Sequence, residues 1–351
     1  MYDALDREII HGLYCAPRSS FRRLGEVIGV SEQTVARRYS ALRRDGVMRV
    51  VGLSGPAAQG RAEWITRLRC RPDAAGPVAD SLARRPEVGY ASIASGGSEI
   101  ICTIRSAPGG GRDDVLLRQL PKAASILDMS VDLLLHAFSR PGTAGWAGGK
   151  RSLSEEQVRQ LTARRPALAD PVPDPAPAGA TSAAPAPAPA GPSTVPTDED
   201  RLLFAALAED GRASHAHLAR VTGWSAARVA RRLEVLEAAG SLTYGIDILA
   251  ERLGYDLNAI LWIQVDLPDL HRIGEELARH DECAFVAATS GRHNLMAVVI
   301  CEDTPAFYDY LSSRLARVEG IRGYEISVRA RSLKQSVSLI HHGRLVHLAS
   351  R

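Results

Sequence analysis

Between Ser31 and Gly46 the chain reads SEQTVARRYSALRRDG, and one face of this stretch carries Gln33, Thr34, Arg37, Arg38, Arg43 and Arg44. An amide can bond adenine N6 and N7 together, a threonine methyl can touch the methyl of thymine, and an arginine can grip guanine or a phosphate. Val35, Tyr39 and Leu42 recur at helical spacing on the other face, with Ser31 as N-cap and Gly46 as the terminating residue. The amide and hydroxyl groups therefore sit at the N-terminal end, where a reading helix meets base edges. Residues 1–50 hold nine arginines and six acids, net +3. These residues imply contact with double-stranded DNA, and not merely a solvated basic face.

The same core returns at residues 225–240, SAARVARRLEVLEAAG. Laying 6–46 on 200–240 without a gap gives 15 identities in 41 positions, among them Asp6/Asp200, Arg18/Arg212, Gly29/Gly223 and the two arginine pairs. Weaker matches follow: Trp64–Ile65 against Trp262–Ile263, LARR at 82–85 against LARH at 277–280, and ASG at 94–96 against TSG at 289–291. A unit of about 140 residues is thus present twice. The second copy differs where bases would be met, with Ala226, Ala227 and Arg228 in place of Glu32, Gln33 and Thr34. Arg43 and Arg44 become Glu237 and Ala238, and residues 198–245 hold six arginines against seven acids, net −1. Arg228, Arg231 and Arg232 remain as candidate phosphate contacts, so copy two is expected to bind DNA more weakly.

Each unit changes period after its helical part. In copy one, apolar positions predict helices over 5–14 and 20–28, the reading helix, and a β-prone VMRVVG. Strands follow at 61–71, 88–95, 99–105 and 126–138, with helices at 74–85 and 113–120. Copy two runs through 256–266, 270–280, 283–289, 294–301, 304–317 and 321–331 in the same βαββαβ order, a ferredoxin-like arrangement. Between the copies, residues 166–197 contain ten prolines and ten alanines, a composition that favours an extended tether of up to about 100 Å. Just upstream, SEEQVRQL at 154–161 has Ser154 and Gln157 at capping-box spacing and predicts a short helix.

The segments LDREIIHGL, LGEVIGVSEQTVARRYSALRRDGVM, LARVTGWSAARVARRLEVLEAAG and ATSGRHNLMAVVICEDTPAFYDYL resemble the leucine-responsive/asparagine-regulator (Lrp/AsnC) family of transcription factors, here in a tandem two-unit form. The resemblance implies an α+β chain: two copies of a winged helix-turn-helix followed by a ferredoxin-like sensor domain. The parts expected are a first helix-turn-helix at 1–53, a first ligand-sensing and dimerisation domain at 54–138, a linker at 139–197, a second helix-turn-helix at 198–247, a second sensor at 248–332 and a tail at 333–351. It also implies a small effector, an amino acid or a related molecule, bound at the turn between the two central strands. Those turns are Ser95, Gly96 and Gly97 in copy one, and Ser290, Gly291, Arg292, His293 and Asn294 in copy two. Glu99 is the one acid placed to hold an amino group. Sensor sheets are expected to self-associate, the two copies forming an intramolecular pseudo-dimer.

A sirohaem-type decarboxylase of haem biosynthesis is the alternative on this architecture, with Arg292, His293, Arg105 and His136 as loose candidates for tetrapyrrole carboxylates. The basic reading helix argues against it, no Ser-His-Asp, P-loop or dinucleotide-binding pattern occurs, and the chain is expected not to be an enzyme. No cofactor or metal is expected: HHGRLVH at 341–347 reads as a turn between strands, and five scattered cysteines show no ligand spacing. At 45% apolar, 24% charged and net +3, the 351 residues read as globular and mildly basic. With no signal-like N-terminus and no long apolar run, a cytoplasmic location without a membrane span is expected.

Overall fold

The computed structural model describes residues 2–54, 62–106, 125–138, 152–163 and 195–347. The helix expected at 113–120 and most of the Pro/Ala-rich connector lie outside them.

The chain is α+β. In copy one, α1 (Ala4–Cys15) starts on an Asp3/Asp6 capping box, α2 (Phe21–Ile28) on Ser20, and α3 (Glu32–Arg44) on Ser31. Gly29 ends α2 at φ 90°, a left-handed conformation that suits glycine. Ile9, Ile10, Leu13, Leu24, Val35 and Leu42 meet in the core of this trio. Copy two repeats it with α6 (Arg201–Glu209), α7 (His215–Thr222) and α8 (Ala226–Ala238) around Leu203, Leu207, Leu218, Val229 and Leu236. Numbered between them is α5 (Glu155–Thr162), whose expected Ser154/Gln157 capping box is formed.

The trios are joined by a two-stranded ribbon, in which β1 (Met48–Ser54) pairs antiparallel with β6 (Leu242–Ile248) from Met48↔Ile248 to Ser54↔Leu242. Two equivalent arginines clamp it. Arg212 donates from Nη1 to the Pro17 carbonyl (2.6 Å) and from Nη2 to that of Ser19 (2.7 Å), with its guanidinium 4.4 Å from the Phe21 ring centre. Arg18 reciprocates toward the carbonyls of Gly211 and Ala213 (3.3 Å each) and the Tyr244 hydroxyl (3.1 Å). Contacts that exchange copies in this way define an isologous interface, here within one chain.

The remaining strands close a ring. Copy one supplies β2 (Ala62–Cys70), β3 (Val88–Ala94), β4 (Glu99–Ser106) and β5 (Ile126–Ala137); α4 (Pro72–Ala83) covers their outer face. Copy two supplies β7 (Leu257–Val265), β8 (Cys283–Thr289), β9 (Leu295–Cys301) and β10 (Ile321–Gln335), covered by α9 (Leu270–Ala278) and α10 (Thr304–Asp309). The order β10-β3-β4-β2-β5-β8-β9-β7 returns to β10 through the β10–β7 pairing. The first part of β5 pairs with its own β2 and its end with β8; likewise β10 serves first β7 and then β3. Ile65, Ile101, Ile260, Trp262 and Met296 fill the space inside.

One sequence match and one expected boundary need correction. Trp64 packs outward against the copy-one helix layer, whereas Trp262 points into the ring, so they are not equivalent. Ile65 lies opposite Thr103 as Ile260 lies opposite Val298, which makes Arg67 the counterpart of Trp262. Three residues of slip turned an inward position into an outward one, because strand side chains alternate. The stretch expected as a tail continues the sheet: β10 runs on to Gln335, and β11 (Ser338–His341) and β12 (Arg344–His347) form a hairpin on it, turning at His342 and Gly343.

Arg212→Ala removes two charge-assisted bonds and a ring contact from the clamp. It should cost about 2 kcal/mol of stability, read as a lower urea midpoint at unchanged slope.

Candidate functional site

The reading helices come first. Ser31 Oγ accepts from the Thr34 backbone (3.1 Å) and lies 2.9 Å from Thr34 Oγ1, so both residues help to start α3. Gln33, Arg37, Ser40 and Arg44 lie exposed along it, and Arg37 makes no ion pair among the described residues. Arg38 turns back instead, to Asp3 Oδ2 (2.9 Å) and Asp6 Oδ2 (3.3 Å). Its counterpart Arg232 reaches Asp200 Oδ2 at 2.6 Å, and Asp200 is 1% exposed. Burial works to raise the Asp200 carboxyl, but Arg232 and Thr197 outweigh it and hold the group below its ordinary value. At Asp6 burial prevails and the carboxyl lies above. The second arginine of each pair thus ties the reading helix to the start of its trio. The identity Asp6/Asp200, beside the identical arginines, was the signal for this pairing.

Arg43 is likewise engaged, 2.6 Å from Asp210 of the other copy, while Arg44 sits loosely against Asp45 (3.3 Å). On α8, Arg228 stacks 4.2 Å from the Trp224 ring centre and bridges to Glu199 (2.6 Å), and Arg231 is exposed without an ion pair among the described residues. The outward residues of the predicted set are therefore Ser31, Gln33, Arg37, Arg44, Arg228 and Arg231, with Thr34 half-buried.

The hairpin turns form a second constellation. Ser95, Gly96 and Gly97 all have positive φ (52°, 67° and 96°), a sharp turn that lets Ser95 Oγ donate to Glu99 Oε2 at 2.8 Å. Glu99, 3% exposed, also accepts from Arg67 Nε (2.6 Å) and, across the copies, from Ser327 Oγ (2.7 Å). Arg67 continues to Glu325 of β10 (2.9 and 3.2 Å) and lies 4.5 Å from the ring centre of Trp262. Burial alone would lower the Arg67 pKa, but Glu325 and Glu99 raise it. Glu99, which sequence reasoning offered to an amino group, is thus satisfied from within.

The copy-two turn docks on β5 in the same manner. Ser290 Oγ accepts from the Leu133 amide (2.8 Å), and a Cβ on Gly291 would fall 2.4 Å from Asp132 Oδ1. Asn294, the counterpart of Glu99, holds both backbone groups of Val265 at 2.9 Å, and Thr289 Oγ1 donates to the His293 carbonyl (2.7 Å). Arg292 is the outward group, 81% exposed and 4.0 Å from Glu325. Each turn therefore seats on the strand that crosses from the other copy. The tetrapyrrole candidates do not gather: His136 is exposed beside Phe138 and His271, and Arg105 faces the ring interior.

Family models match the helical trios of both copies and the sheet-forming part of copy two. The AsnC-type helix-turn-helix domain matches twice, at residues 3–43 and 197–237, and the Lrp/AsnC ligand binding domain matches at 258–339. Residues 3–43, 197–237 and 258–339 thus carry domains of the Lrp/AsnC family. The transcriptional regulator LrpA of Pyrococcus abyssi is 26% identical over 125 residues, 35% of this chain and 89% of that protein, so it corresponds to one half. Over nearly the full length, the fold is similar to the siroheme decarboxylase NirDL, with a TM-score of 0.58 at 13% identity, covering 94% of this chain and 92% of that one. NirDL in complex with an iron-uroporphyrin III analogue aligns with a TM-score of 0.56 at 13% identity, covering 90% and 87%. This corrects the expectation that the chain is not an enzyme, because the two-copy architecture is one that an enzyme uses. None of the described helices is long and apolar enough to cross a membrane.

Arg67→Met should destabilise the chain by about 3 kcal/mol by stranding Glu99 without its cation. Adding Glu99→Gln should restore much of the loss, and thermal melts of the single and double variants give the comparison.

Proposed function

We propose that this chain is a sequence-specific DNA-binding transcriptional regulator whose two fused units act as a pseudo-dimer. Each unit is a winged helix-turn-helix, with the β1–β6 ribbon as the shared wing, followed by a ferredoxin-like sensor. The effector is an amino acid or a related small molecule, and the outer faces of the sensors serve self-association. The observation that carries the reading is the division of labour within each VARR pair. Arg38 and Arg232 anchor the helices internally, and Arg37 and Arg231 stay outward at the same turn with no ion pair among the described residues. An exposed arginine held on a rigid, internally braced helix loses little freedom on meeting a phosphate.

Copy one is the stronger reader. Gln33, Arg37 and Arg44 share its exposed face, while Glu234 and Glu237 are exposed on α8. The two readers differ in residues and are fixed in one body, so the preferred DNA site is not a strict palindrome.

Arg37→Ala should weaken binding to a selected duplex about fivefold to tenfold, lower the salt dependence by about one unit and leave the melting temperature unchanged. Arg231→Ala should cost less, and Arg38→Ala should act mainly on stability. Fluorescence anisotropy at fixed salt, with parallel melts, separates these effects; equal affinity for all three variants and the parent would overturn the reading.

The decarboxylase reading is kept for one reason, the likeness to NirDL along most of the chain. Titration with sirohaem distinguishes it: a shifted absorbance with release of carbon dioxide supports the enzyme, and an unchanged spectrum removes it.

A further inference from the structure

Where the eight-stranded ring meets the β1–β6 ribbon lies a partly open cavity of about 150 Å³. A cavity of about this size is known to admit a benzene molecule. The two copies build its wall unequally, and strand register makes the comparison residue by residue. Tyr90 lies opposite Thr103 just as Phe285 lies opposite Val298. By the same register Arg105 corresponds to Ile300 and Glu63 to Asn258. Copy one has thus put a phenol, a hydroxyl and an ion pair at inward positions where copy two keeps Phe285, Val298, Ile300 and Asn258.

Gly89 makes room for this arrangement. A Cβ there would stand 2.7 Å from Arg105 Nη2, and the corresponding residue in copy two is Ala284. Arg105 Nε stands 3.5 Å from Glu63 Oε1, a loose contact. Arg329 of β10 brings a second guanidinium to the lining and makes no ion pair among the described residues. The Tyr90 hydroxyl is buried and has no hydrogen-bond partner among them. Two cations, one carboxylate and an unmet hydroxyl face a space walled by Ile65, Ile260, Phe285 and Val298, with Thr103, Gln335 and Ser336 also in the lining. Such a wall favours one negative charge with a hydrogen-bond acceptor, attached to a compact apolar body.

We propose that this cavity binds one small carboxylate of about benzoate's size, its carboxylate on Arg105 and Arg329 with the Tyr90 hydroxyl donating to it, and its body against Phe285, Ile260 and Val298. One molecule binds per chain, because Tyr90 and Arg105 have only Phe285 and Ile300 as their counterparts in copy two. The site is distinct from the hairpin turns, and it rests on residues of the ring and not on the DNA-binding reading. Binding measured without DNA therefore tests the one without testing the other.

The experiment is calorimetry of the full chain with benzoate, using toluene and benzylamine as neutral and cationic molecules with a similar body. Benzoate should bind with a stoichiometry of one and at least about tenfold more tightly than either counterpart. Exchanging copy-one residues for their copy-two counterparts should remove the preference. Glu63→Asn with Arg105→Ile should cost benzoate at least about tenfold while leaving toluene unchanged, and Tyr90→Phe about fivefold. Tyr90→Phe removes a single oxygen, so it decides the matter even if the double variant does not fold. No binding of benzoate, two molecules per chain, equal binding of benzylamine, or unchanged affinity in Tyr90→Phe would overturn the proposal.

Discussion

Two strands, β5 and β10, hydrogen-bond to both copies, and the remaining geometry depends on that sharing. Each leaves its own sheet part-way along and completes the edge of the other, at β8 and β3 respectively. A closed ring has no exposed edge to attract a further strand. The crossings also bring residues from distant parts of the sequence within bonding distance, as where Glu99 meets Ser327. The Arg67–Glu99–Glu325 cluster stands at one such crossing, where a buried carboxylate would be costly without its cation. Separating the copies would therefore break backbone ladders and strand charges together.

Covalent fusion lets the halves diverge, and the divergence is ordered. Copy one carries Glu63, Tyr90 and Arg105 on the inner face of the ring, and the more basic reading helix. It also has two braces that its counterpart lacks. Leu153 and Leu161, flanking and ending the buried side of α5, pack over Gly12, where copy two has Ala206. Arg23 secures the end of that helix through the Ala163 carbonyl (2.7 Å). The C-terminal hairpin reaches the turn after α3, with the Leu345 amide on the Gly46 carbonyl at 2.8 Å. Both braces hold the trio with the more basic reading helix.

The duplication, the helical trios and most strand limits were legible because they rest on local signals. Serine caps at 31 and 225, glycine stops and alternating strands need no knowledge of the partner copy. What could not be read was which side chains meet across copies. Arg18 and Arg212 stood out as identities, yet nothing local shows that each reaches the other copy's backbone. The arginine pairs invited one role for both members, although a helix turns about 100° between neighbours and only one of each pair can face outward. The Trp64/Trp262 match failed for the analogous reason in strands, where a shared residue type carries no information on facing. The turn residues were located correctly in sequence. Their engagement with the crossing strands depended on the closure of the ring.

The ribbon explains how the halves stay coordinated. Met48 and Val50 belong to the copy-one helical core, whereas Leu53 and Ser54 border the ring cavity, and Thr243 borders it from β6. β1 and β6 are paired along their whole length, so one ribbon runs from the cavity end to both trios. A single-unit relative such as LrpA spans only about a third of this chain, so it would need a second chain to form an equivalent ribbon. Tethering makes that encounter intramolecular, and pairing no longer depends on protein concentration. Once pairing is assured by the chain itself, identical interface residues are no longer required on both sides. Arg67 can then face Trp262 without having to face a copy of itself.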